Sequence, residues 1–147
     1  MLKTIIQQLI RKYDTHDPFE IARQLGIIVS EEPLGSINGF YSKTHRHKII
    51  HLNNNLMDPR RAFTCAHELA HAILHPDTNT PFLRANTLFP INKYEIEANR
   101  FAVQLLYPDD ELQDLLEWPI EQAANYMGVP PWLAEYRMRS VEPKFII

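Results

Sequence analysis

Cys65 is the only cysteine among 147 residues, so the chain cannot carry an internal disulfide framework. Its N-terminus has none of the pattern of a signal peptide, and nowhere does an apolar run approach the roughly 20 residues of a membrane helix. Neither sign of charge dominates: 15 Lys and Arg stand against 18 Asp and Glu, a formal net charge of −3 with a pI near 6.1. That balance argues against a general nucleic-acid binder and against attraction to an anionic membrane. The expectation is a cytoplasmic protein with a hydrophobic core, and the length suits one domain over residues 1–147.

What the chain does have is concentrated in Phe63-Thr-Cys-Ala-His67-Glu68-Leu-Ala-His71-Ala-Ile-Leu-His75. Its centre is H-E-x-x-H. In a helix, residues four apart sit one turn apart on one face, so His67 and His71 can aim imidazole nitrogens at a single metal ion. Glu68 is rotated about 100° from His67. It stands beside the metal, placed to take a proton from water as a base rather than to act as a ligand. The ends of the helix are marked: Asp58 can cap its first N–H groups, Pro59 suits the first helical position, and His75-Pro76 closes it. Phe63, Ala66, Ala70 and Leu74 give an apolar stripe, which predicts burial. Buried imidazoles need a partner, and zinc would supply one. Cys65 lies about 160° round from His67 and reads as core packing.

Along the rest of the chain, Leu2, Ile5, Ile6, Leu9 and Ile10 predict a helix over residues 2–13. Asp17-Pro18-Phe19-Glu20 opens a second, with Glu20 placed to answer the Asp17 cap and Gly26 ending it. Residues 27–29, 39–41 and 48–52 read as strands of a small antiparallel sheet. His45, His47 and His51 lie near Lys43, Arg46 and Lys48, which disfavour a bound cation; His45 and His47 are expected in a solvated turn, and His51 on the strand, sharing a face with Ile49. The long connection over residues 76–92 joins two candidate ligand-bearing helices and is a candidate wall of a substrate cleft.

The helix expected over residues 92–106 must supply a third ligand, because one helix cannot surround an ion. Glu95 and Glu97 compete. At about 100° per residue the buried arc takes in Tyr94, Ala98, Phe101, Ala102, Leu105 and Leu106. Glu95 falls inside that arc, where a carboxylate needs compensation, and is the expected ligand. Glu97 falls on the wet side as a partner of Arg100. Asn99, one turn after Glu95, is placed to hydrogen-bond a ligating histidine.

These residues carry a resemblance. His67-Glu68-Leu69-Ala70-His71, then Glu95-Ile-Glu97-Ala98-Asn99-Arg-Phe101-Ala102 and Leu105-Leu106-Tyr107-Pro108, together with Asn38-Gly39-Phe40-Tyr41 and the strand from Lys48 to Asn53, resemble the ImmA/IrrE metallopeptidases. The usual glycine between the two histidines is Ala70 here, a small-for-small exchange. The resemblance implies an α+β, zincin-like fold, with the small antiparallel sheet packed on the H-E-x-x-H helix and further helices around it. It implies Zn2+ on His67, His71 and Glu95, Glu68 as catalytic base, and a protein substrate, a helix-turn-helix repressor of a phage or mobile element. Gly39, Phe40 and Tyr41, on a strand beside the cleft, and Phe82, in the long connection, are the candidate substrate-binding residues.

Two other functions fit parts of the sequence. A non-proteolytic regulator could bind a repressor and keep zinc only for structure. Residues 119–139 are similar to a helix-turn-helix, with Gly128 in the turn and Arg137 and Arg139 at the end, and could form a DNA-binding module. Glu121 and Glu135 would repel phosphates, so packing or docking of a protein partner is favoured over direct nucleic-acid binding.

Overall fold

The apolar spacing near the N-terminus produces the expected helix: α1 spans Leu2–Tyr13 in the computed structural model, which describes residues 1–78 and 92–144. Helix α2 (Pro18–Gln24) begins with the Asp17 carboxylate accepting the Phe19 N–H at 3.0 Å. Glu20 does not complete a reciprocal cap, because its carboxylate accepts from Arg23 and Gln24 instead. Gly26, at φ +75°, turns the chain off the helix; its N–H reaches the Arg23 carbonyl and the Ile27 N–H reaches that of Ala22. The first strand therefore starts later than its β-branched residues suggest. With the Ile27 N–H committed to the helix end, β1 runs Ile28–Glu32.

β2 (Gly39–Lys43) and β3 (Lys48–Asn53) form the expected antiparallel pair, with Tyr41 opposite Ile50. β1 lies on the other side of β3 and runs parallel to it, giving the order β1-β3-β2. The sheet is thus mixed rather than wholly antiparallel. Adjacent strand segments in a sequence pair with one another only if the connection brings them side by side, and the turn after β1 carries the chain past β3.

One face of the sheet packs on α3 (Arg60–Leu74), which lies in turn against α4 (Asn92–Leu106). Ala66 and Ala70 from α3 and Ala98 and Ala102 from α4 are fully buried, and their small side chains let the helices close on one another. Tyr94 departs from its expected burial and is 37% exposed. α3 begins one residue later than expected: Pro59 is the residue before the helix rather than its first member, and Asp58 accepts the Ala62 N–H at 3.2 Å. After α5 (Asp109–Leu112) and a 3-10 turn, α6 (Ile120–Met127) and α7 (Pro131–Arg139) build a second apolar cluster around Val103, Leu112, Met127 and Leu133. Among the described residues, no helix is long and apolar enough to cross a membrane.

Candidate metal centre and cleft

α3 presents His67 and His71, and His75, the residue that caps its end, continues the interval of four; all three are buried. Glu95 reaches them from the first turn of α4. Its Oε2 lies 3.1 Å from His67 Nε2 and its Oε1 2.9 Å from His71 Nε2. The ligand-capable atoms of His67, His71 and Glu95 all lie within 4.8 Å of one another, with Cys65 outside the group. Tetrahedral zinc bound at its usual lengths sets neighbouring nitrogen and oxygen ligands roughly 3.3 Å apart, so the donor set suits the ion in both chemistry and size.

The residue expected to be solvated is engaged. Glu97 pairs with His75 Nε2 at 3.0 Å, while His75 Nδ1 lies 3.1 Å from His71 Nδ1. Arg100, its expected partner, instead stacks on the Tyr136 ring at 4.6 Å. The geometry differs from the helical plot because Glu97 lies beside the end of α3, where the neighbouring helix brings a histidine to it. A sequence signal existed: His75 follows His71 by the same interval at which His71 follows His67. Both ring nitrogens of His75 are thereby engaged. Burial holds its pKa below the ordinary histidine value, opposed by the Glu97 hydrogen bond.

Glu68 is 1% exposed as a residue, yet it borders a cleft of about 860 Å³ shared with His67. It is lined by Ile37, Asn38 and Gly39, by Pro59, Arg60, Phe63 and Thr64 at the start of α3, and by the end of α6 with the turn into α7, through Ala124, Asn125, Gly128, Val129 and Pro130. Asn99 opens onto the same cleft. Gly39 has to be glycine here, since a Cβ would stand 2.6 Å from the His51 carbonyl oxygen and 2.9 Å from Thr64 Cγ2.

The other candidate substrate residues are distributed differently. Phe40 stacks its ring on His51 with centroids 4.1 Å apart, and Tyr41 is fully buried with its hydroxyl donating to the Pro76 carbonyl at 2.6 Å. Of the strand triplet, Gly39 lines the cleft. Phe82 lies outside the described residues. His45 and His47 are exposed as expected, and His51, on β3, is held between Glu32, at 2.7 Å from Nδ1, and Ser42, at 2.9 Å from Nε2.

The DNA-binding reading of residues 119–139 loses its basic end. Arg137 is 3% exposed, and its guanidinium donates to the Tyr107 carbonyl, to Ser140 Oγ and to Asp109 Oδ1. Arg139 is exposed and paired with Glu135. An inward-facing arginine cannot meet a phosphate, and the turn it follows faces the cleft.

The model of one protein family, described as Peptidase_M78, IrrE N-terminal-like domain, matches residues 22–139, which include α3, α4 and the cleft. The chain belongs to this family. Peptidase_M78 membership agrees with two whole-length similarities. One is to "Uncharacterized immunity region protein 2" of Bacillus phage phi105, 44% identical over 140 residues, covering 93% of this chain and 89% of the relative. The other is to "Metallopeptidase ImmA" of Bacillus subtilis (strain 168), 30% identical over 146 residues, covering 95% of this chain and 85% of the relative. The α+β architecture, with a small sheet on the H-E-x-x-H helix, is the one that the ImmA/IrrE resemblance implied.

Proposed function

We propose that this chain is a cytoplasmic zinc-dependent endopeptidase, one domain over residues 1–147, whose substrate is a helix-turn-helix repressor of a phage or mobile element. The observation that carries the reading is the meeting of His67, His71 and Glu95 beside Glu68 at the edge of an open cleft. The names of the phage immunity-region and metallopeptidase relatives support the biological direction.

In this reading His67 and His71 offer Nε2 and Glu95 a carboxylate oxygen to the ion. Bound zinc would supply Lewis acidity toward water and toward the scissile carbonyl. Glu68 removes the proton from the attacking water and delivers it to the leaving amine, a contribution of typically ~10²–10⁴-fold. Burial on the helix restricts its rotamers, so the base is held where the proton is released. Asn99 brings an amide to the same cleft. The peptide enters this cleft, to whose lining Gly39 and the α6–α7 turn both contribute, so selectivity is exercised by both. Phe82 remains part of the proposal as an apolar contact.

The test is incubation with the repressor encoded beside the gene, with and without a chelator. Wild type is expected to cut it, chelator to stop cleavage, and Glu68→Gln to lower the rate by ~10²–10⁴ while zinc content is unchanged. Full repressor inactivation by Glu68→Gln, with no cleavage by either protein, would instead establish the non-proteolytic regulator. In the same experiment, Glu95→Ala should lose zinc on dialysis more completely than Glu97→Ala; equal retention overturns Glu95 as a ligand.

A further inference from the structure

We infer that His75 and Glu97 are positioning residues for the metal, holding His71 in the one tautomer that turns the Nε2 lone pair toward the ion. The inference rests on the metallopeptidase reading and adds to it a hydrogen-bonded chain that crosses from α3 to α4. It follows from donor and acceptor directions. A carboxylate only accepts, so His75 Nε2, 3.0 Å from Glu97 Oε1, carries a hydrogen. Neutral His75 then has a bare Nδ1. Facing that atom at 3.1 Å is His71 Nδ1, and two lone pairs cannot face one another, so the hydrogen between them sits on His71. Neutral His71 is left with its lone pair on Nε2, pointing to where His67 and Glu95 converge.

The opposite arrangement fails. If His71 carried its hydrogen on Nε2, toward Glu95, then His75 Nδ1 would have to donate. His75 Nε2 would then be bare against the Glu97 carboxylate unless the ring took a second proton. The His75 side chain is only 5% exposed, where an extra charge is costly. Lone pair against carboxylate at 2.9 Å is likewise unfavourable without a cation between them, and an ion there converts both into ligands. The direction of the whole chain, Glu97 to His75 to His71, is therefore the one a bound cation needs.

A purely structural role, tying the end of α3 to α4, would leave metal binding untouched, and Glu97 allows the two to be separated because its side chain is 46% exposed. Zinc affinity of the purified protein is measured by competition with a chromogenic chelator, and thermal stability is measured on the metal-free form. Glu97→Ala is expected to weaken zinc binding about 10–100-fold with little change in metal-free stability. Glu97→Gln should recover part of the loss, because its amide oxygen still accepts from His75 Nε2. In the zinc-loaded wild type, nitrogen-15 NMR should find the His71 hydrogen on Nδ1.

Three results overturn the inference: equal zinc affinity in wild type and Glu97→Ala, a fall in metal-free stability that accounts for the whole loss of affinity, or the hydrogen of His71 on Nε2 in the loaded protein. Failure of the wild type itself to bind zinc would remove the metallopeptidase reading and this inference together, so the two failures are distinguishable.

Discussion

Tyr41 keeps a hydroxyl inside the core because that group donates to the Pro76 carbonyl, tying β2 to the residue just beyond α3. Burial, with Asp77 adding to it, pushes its pKa up to about 12, so the phenol stays protonated and able to donate through the physiological range. Tyr41→Phe should lower stability by about 1 kcal/mol, read from the urea midpoint; no change would mean that water replaces the lost bond at no cost. Cys65 makes a simpler case. It is fully buried, and burial raises its thiol pKa, so a thiol reagent should label it only as fast as the protein unfolds. Labelling at the rate of an exposed thiol would contradict its place in the core. Such residues were legible in advance where a helical position alone decided their surroundings, as for Cys65. Glu97 was not, because its partner His75 belongs to another helix.

Helices meet at the cleft through a contact that periodicity does not encode. Gly128, at φ +69°, ends α6, and a Cβ there would lie 2.3 Å from Pro59 Cγ at the start of α3. Two constraints act on one residue: the left-handed backbone disfavours any side chain, and the approach to Pro59 leaves no room for one. Gly128→Ala is expected to cost roughly 1–3 kcal/mol in urea unfolding and to displace the cleft wall. An unchanged urea midpoint would mean that the turn can move off α3 freely. As a sequence pattern, the same glycine and the following arginines resemble the centre of a helix-turn-helix. Both elements do form, as α6 and α7, but the side chain that was to meet phosphate is turned inward.

Across the whole molecule, Arg137 joins α7 to the Tyr107 carbonyl, just after α4, and to Asp109 at the start of α5. Burial raises the pKa of Asp109, but the Arg137 hydrogen bond and charge outweigh it and leave the carboxyl below its usual range. A carboxyl depressed in the folded state stabilises above its unfolded value, about 3.9 for Asp, and that contribution disappears as pH falls toward the folded value. Urea midpoints should therefore drop more steeply below about pH 4 in the wild type than in Asp109→Asn; parallel profiles would exclude the pair as a source of acid sensitivity. The sequence by itself determined most of the elements and which polar side chains α3 carries. Helical spacing set His67, Glu68 and His71 on one helix, the apolar arc of α4 singled out Glu95, and Asp17 and Gly26 marked the ends of α2, because each depends on local periodicity or backbone chemistry. Tertiary structure alone decided that β1 runs parallel to β3, that Glu97 meets His75, that Arg137 points inward, and that the α6–α7 turn meets the start of α3. Each of these is a contact between segments distant in the chain, chosen by how layers pack and by which buried polar groups must find partners, and no local pattern records that choice.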